Sequence, residues 1–80
     1  MKSFSTSTFG SYLVGQVDKN GPIGDLARDF ARFIDDGPHR IADYETAVPV
    51  RIWLNQRGAP KLAHDALYKA ERSWLDSMWA

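Results

Sequence analysis

The chain has 80 residues and no cysteine, so one small domain is expected, and neither disulfides nor thiolate metal sites can stabilise it. Its ten basic and ten acidic residues cancel, which removes the cationic excess typical of general nucleic-acid and acidic-membrane binders. The sequence has no apolar run long enough to predict a membrane span, and its first residues do not lead into a signal-peptide core. A cytoplasmic protein is therefore expected.

The first helix is predicted to follow a polar arm and to be weakened by two glycines. Residues 1–8 are expected to form a polar arm rich in serine and threonine, and residues 9–80 a single four-helix domain. Thr8 is the expected N-cap, because its hydroxyl can accept a hydrogen bond from a free N–H of the first turn. Gly10 and Gly15 each destabilise this helix by about 0.5 to 1 kcal/mol relative to alanine, so it depends on tertiary contacts. Its predicted buried face carries Phe9, Tyr12, Leu13, Gln16 and Val17.

The second helix has the clearest amphipathic pattern in the chain. It is predicted to begin at Pro22, where the missing N–H of proline costs nothing. Gly37 is expected to close it in the left-handed conformation, and Pro38 cannot continue it. The predicted buried face carries Ile23, Leu26, Ala27, Phe30, Phe33 and Ile34, and the exposed face carries Asp25, Arg28, Asp29 and Arg32. Because one apolar stripe needs partners to cover it, this helix predicts a bundle.

The third helix is predicted to follow a segment, residues 39–45, that has no clear pattern. Thr46 is its expected cap, and Pro49 is tolerated because the first turn needs no intrahelical N–H partner. Its apolar residues are Ala47, Val48, Val50, Ile52, Trp53 and Leu54. Since they occupy most of the circumference, the helix is predicted to lie in the middle of the bundle.

The fourth helix is predicted to be the longest and to follow a tight corner at Gly58-Ala59-Pro60. Its predicted buried side carries Ala63, Ala66, Leu67, Ala70, Trp74 and Met78. Packing is the expected role of Phe30, Phe33, Trp53 and Trp74. With no strand signal or repeat, the predicted fold is all-α, a compact four-helix bundle.

Several segments together resemble the YozE-like family of small bacterial proteins, over roughly residues 9 to 76. The most specific segment is Pro22-Ile23-Gly24-Asp25-Leu26-Ala27. The others are Trp53-Leu54, Arg57-Gly58-Ala59, Ala63, Ala66-Leu67, Ala70 and Trp74. The resemblance implies a fold similar to that of sterile alpha motif domains and, by analogy, protein or DNA binding; it supplies no functional residues. The Ser/Thr arm and the long segment 42–49 would suit a divergent copy carried by a phage or another mobile element.

A basic corner is the first candidate site. Arg51, Arg57 and Lys61 flank Gly58-Ala59-Pro60, where free N–H groups at the start of the fourth helix could hold a phosphate of a DNA backbone. The other interpretation is a compact interhelical turn flanked by solvated charges. The DNA hypothesis predicts binding that falls steeply with salt.

An uneven distribution of charge suggests a second candidate, a protein interface. Acidic residues outnumber basic ones seven to five over residues 1–50, and basic residues outnumber acidic ones five to three over residues 51–80. The candidate interface residues are Asp25, Asp29, Asp35, Asp36, Lys69, Arg72 and Trp79. They could bind a second copy head to tail or a host regulatory or defence protein; the alternative is scattered solvated charge. Trp79 could fold over the core or serve as an exposed interface anchor.

No residue pattern indicates catalysis. His39 and His64 are far apart and lack the spacing of a metal site, and the serines have no neighbouring His/Asp constellation. No catalytic residue, metal or cofactor is therefore predicted. We expect a non-enzymatic module that binds a macromolecule, with protein favoured as the partner and DNA as the alternative.

Overall fold

The computed structural model describes residues 8–78, and these residues form four α-helices and one 3-10 helix. The α-helices are α1 (Phe9–Val14), α2 (Pro22–Asp35), α3 (Ala47–Gln56) and α4 (Lys61–Ser77), and the 3-10 helix is Ile41–Asp43. The described part of the chain contains no strand, so the predicted small all-α bundle is confirmed. No helix within residues 8–78 is long and apolar enough to cross a membrane. The predicted arm, apart from Thr8, and Trp79 lie outside the described residues.

Helix α1 begins where the sequence predicts but is shorter than its apolar pattern. The Thr8 hydroxyl accepts a hydrogen bond from the backbone N–H of Ser11 at 3.2 Å. The helix ends at Val14, and Val17 lies in the following turn. The carbonyl of Val17 is bound by the Arg28 side chain at 2.8 Å, so this turn is held against α2.

The core lies among all four α-helices, and α2 makes its most extensive contacts with α4. Its buried apolar residues are Phe9, Leu13, Leu26, Ala27, Phe30, Ala47, Val50, Trp53, Leu54, Ala66, Leu67, Ala70 and Trp74. The predicted buried face of α2 is confirmed, since its remaining members Ile23, Phe33 and Ile34 are half-buried against this core. The four charged residues predicted on its other face, Asp25, Arg28, Asp29 and Arg32, are exposed.

The prediction that the third helix lies in the middle of the bundle was wrong. Val48 and Ile52 are 53% and 50% exposed. At about 100° per residue they lie on the side of α3 opposite its buried residues Val50, Trp53 and Leu54. The neighbours cover only one side of this helix. Met78, which was also predicted to be buried, is 44% exposed because it lies just past the end of α4.

The glycine that closes a helix in the left-handed conformation is Gly58, and the prediction of this conformation at Gly37 was wrong. Helix α2 ends with Asp36 in a right-handed conformation, whereas Gly58 has φ of +65° after α3. The next residue, Ala59, donates its N–H to the Leu54 carbonyl at 3.0 Å. The predicted tight corner between α3 and α4 therefore forms around Gly58.

The segment 39–45, which had no clear pattern, fastens α1 to the rest of the domain. The N–H groups of Phe9 and Gly10 donate to the carbonyls of Glu45 at 3.0 Å and Tyr44 at 2.7 Å. A Cβ on Gly10 would lie 2.9 Å from the Cβ of Tyr44, closer than side-chain atoms normally approach. Gly10 therefore allows this close contact, which offsets its low helix propensity.

Candidate protein-binding surface

Two adjoining grooves lie where the beginnings of α2 and α4 meet the α3–α4 corner. The first groove has a volume of about 180 Å³, and its apolar lining includes Leu26, Leu54 and Ala63. The second, of similar volume, lies along α4 beside Tyr68 and Lys69. Pro22 and Leu62 line both grooves, so they form one continuous surface, called here the α2–α4 surface.

Local sequence signals place the walls of this surface. Gly21, with φ of +89°, turns the chain into α2 so that Pro22 occupies the first turn. The corner at Gly58 turns the chain back at the end of α3, and Leu62 is then the second residue of α4. The positions of both walls thus follow from glycine and proline residues that end and start helices, and these can be recognised in the sequence.

Large apolar side chains are exposed on the α2–α4 surface. Leu62 is 61% exposed and Tyr68 is 56% exposed. Single exposed apolar residues are common, but two of them beside a shared depression form a patch of the kind found at binding sites. Neither residue is among the binding residues predicted from the sequence. The available signal was that both are large and fall off the predicted buried side of the fourth helix.

The wall formed by α2 is acidic and the opposite wall carries a guanidinium. Asp25 and Asp29 line the first groove, with Arg57 on the α3 side. Asp25 is paired with Arg28, whose guanidinium also donates to the carbonyls of Val17 at 2.8 Å and Lys19 at 3.2 Å. Within residues 8–78, Asp29 has no ion pair. Its carboxylate therefore has no direct cationic partner among the described residues at the groove.

The three cations of the predicted phosphate site each contact a different group within the domain. Arg51 is paired with Glu71 of α4 at 3.2 Å, and Lys61 with Asp65 at 2.9 Å. The Arg57 guanidinium lies over the indole ring of Trp53, 4.9 Å from its centre. Each cation therefore has a partner inside the domain. This geometry matches the interpretation as a compact turn with solvated charges better than a ready phosphate site.

Only some residues of the predicted protein interface come together. Asp25, Asp29 and Lys69 line the α2–α4 surface. Arg72 adjoins it, because its guanidinium donates to the Tyr68 hydroxyl at 3.0 Å. Asp35 and Asp36 are exposed at the far end of α2 and do not line these grooves. Trp79 lies outside the described residues.

Titratable groups elsewhere are used in packing. His39 is stacked on Phe33 with ring centres 3.9 Å apart, and His64 is half-buried on α4. Burial, and then the negative charge of Asp43, raises the pKa of the Tyr44 hydroxyl. Within residues 8–78 there is no cluster of three or more His, Asp or Glu side chains that could hold a metal ion.

Comparison with protein-family models, with curated proteins and with solved structures gave no significant match. The resemblance to the YozE-like family remains a prediction. Function is therefore proposed from the surface of this chain alone.

Proposed function

We propose that this chain is a non-enzymatic interaction module that binds another protein through the α2–α4 surface. The observation that carries the proposal is the pair of adjoining grooves with Leu62 and Tyr68 exposed at their edges. Exposed apolar side chains beside a concave surface release water when a partner covers them, and burial of such groups drives association.

The size of the grooves favours a protein partner over a small molecule. Small-molecule sites have volumes of about 300 to 1,000 Å³. Each groove here has about 180 Å³ and is open to solvent, which suits one or two side chains of a partner. Side chains that fill such depressions commonly supply most of the affinity of a protein interface.

DNA is the weaker alternative. The chain carries no net positive charge, and Arg51 and Lys61 have carboxylate partners within the domain. A phosphate backbone would have to compete with Glu71 and Asp65 for these cations, and it would approach the acidic wall formed by Asp25 and Asp29. The electrostatic term that dominates DNA affinity is therefore missing.

Site-specific photo-crosslinking in the native cell tests the proposal. Benzoylphenylalanine replaces Tyr68, which is exposed on the α2–α4 surface, and in a second protein it replaces Ile52, which is 50% exposed on the outer side of α3. We expect a discrete crosslinked protein from position 68 and none from position 52. The mass of the product distinguishes a second copy from a different protein.

A matched pair of variants provides the control. Leu62→Asp places a charge on the α2–α4 surface, and Ile52→Asp places one on the outer side of α3; both side chains are at least half exposed, so the core stays intact. The first change should abolish the crosslink from position 68 and the second should leave it unchanged. No crosslink from position 68, or equal crosslinks from both positions, would refute the proposed function.

A further inference from the structure

The first groove of the α2–α4 surface has an acidic wall beside an apolar floor, and this combination defines the chemistry of its partner. We propose that the partner is a basic amphipathic segment of another protein, with aliphatic side chains that enter the grooves and a lysine or arginine that pairs with Asp29. This inference rests on the proposed function and specifies its partner class.

The charge of Asp29 is the first argument. Arg28 is the neighbouring cation in the sequence, but its guanidinium binds Asp25 and the carbonyls of Val17 and Lys19. It is therefore committed to the α1–α2 turn. Asp25 also lies in the first turn of α2, where a carboxylate offsets the positive end of the helix. Asp29 has no ion pair within residues 8–78 and lies beyond the first turn of α2. A cation from a partner would therefore find a free carboxylate there.

The apolar floor is the second argument. The buried residues Leu26 and Leu54 line the first groove, and the exposed Leu62 lines both grooves. A partner side chain that enters either groove would contact Leu62. A helical segment with aliphatic residues three or four positions apart, which lie on one face of a helix, would present side chains to both depressions.

The opposite wall determines how the bound segment is oriented in the first groove. Arg57 is held over Trp53, 4.9 Å from the ring centre, and lines the first groove on the side of α3. A basic residue of the partner is repelled from this wall and attracted to the wall formed by α2. The partner cation should therefore lie beside Asp29, with the apolar residues of the segment between the walls.

Designed peptides test the partner class directly. The probes are two peptides of about 20 residues, long enough to form a helix. They have the same leucine spacing and carry either lysine or glutamate at every polar position. Binding is followed from amide chemical shifts of the labelled 80-residue chain. We expect the leucine–lysine peptide to shift residues of the α2–α4 surface, with an affinity that falls as salt is added, and the leucine–glutamate peptide to have no effect.

Matched variants separate this contact from general attraction to acidic residues. Asp29→Asn should weaken binding of the leucine–lysine peptide about two- to fivefold, the size typical of an exposed ion pair. Asp36→Asn, at an exposed carboxylate outside the grooves, should leave it unchanged. Leu62→Ala should weaken binding about fivefold or more, whereas Ile52→Ala should not.

Several results would overturn the inference. These are equal binding of both peptides, shifts that fall outside the α2–α4 surface, equal effects of Asp29→Asn and Asp36→Asn, or no binding at all. Shifts of the groove residues with protein concentration alone, unaffected by the peptide, would identify a second copy as the occupant and would also overturn it. A protein crosslink from position 68 combined with any of these results would leave the proposed function standing and reject only the partner class.

Discussion

The carbonyl oxygen of Lys19 lies against Gly24 of α2, so close that a Cβ on Gly24 would be 1.7 Å from it. This contact brings the turn after α1 onto the first turns of α2, and Gly24 is buried there. The obstacle is backbone, which cannot move aside as the end of a flexible side chain can. A side chain at position 24 therefore requires the whole turn to shift.

Replacement of Gly24 with alanine should lower the free energy of unfolding by about 1 to 3 kcal/mol, because overpacking forces backbone shifts. Urea denaturation followed by tryptophan fluorescence measures this change. Gly15→Ala is the control, since Gly15 has a right-handed φ of −65° and its Cβ would come no closer than 3.2 Å to the carbonyl of Tyr12. An equal loss of stability in both variants would contradict the explanation.

Replacement of Arg28 with lysine should destabilise the domain by about 1 kcal/mol despite the retained charge. The planar guanidinium binds the carbonyls of Val17 and Lys19 together with the carboxylate of Asp25. The compact ammonium of a lysine cannot make these three contacts in the same geometry. Arg32→Lys, one turn further along the exposed face of α2, is the matched control and should have little effect. The midpoints of urea unfolding of the two variants measure this difference in stability, and equal midpoints would contradict the explanation.

The stability of the domain should fall as pH rises above roughly 10, in part because of Tyr44. Burial, and then Asp43, raises the pKa of Tyr44 in the folded state, so the folded protein holds this proton more tightly than the unfolded chain does. The stabilisation is complete below the unfolded pKa and is lost as pH rises through the folded pKa. Tyr44→Phe should reduce the slope of unfolding free energy against pH in the alkaline range; an unchanged slope would contradict this assignment.

A duplex DNA probe should give no complex at micromolar protein, even at low salt. The prediction follows from the neutral charge of the chain and from the internal partners of Arg51, Arg57 and Lys61. An electrophoretic titration measures it. Asp65→Asn releases Lys61 from its ion pair and provides a sensitised variant. A salt-dependent complex with the unaltered chain would restore the phosphate site as a candidate function.

Local signals made much of the fold predictable. Pro22 at the start of α2 and the hydroxyls of Thr8 and Thr46 as caps act within one turn of their own positions, so a single sequence contains the information. The buried face of α2 follows from its spacing for the same reason. The boundary of α1 was less predictable, because its end depends on contacts of the next turn with Arg28 and Gly24.

Features that depend on distant segments were not predictable. The apolar circumference of α3 gave no indication that its neighbours would leave Val48 and Ile52 exposed. The candidate surface combines the beginning of α2, the end of α3 and the beginning of α4, and only folding brings these segments together. Asp25, Asp29 and Lys69 were therefore predicted in one candidate site and Arg57 in another.

The hydrogen bonds from Phe9 and Gly10 to the carbonyls of Glu45 and Tyr44 set an order of events during synthesis on the ribosome. A helix of six residues is too short to persist alone, so α1 cannot settle until its distant backbone partners have left the exit tunnel. Until then the apolar side chains at its start remain accessible to chaperones. Although α1 is translated before α2, α3 and α4, it is thus expected to be among the last of the four helices to pack.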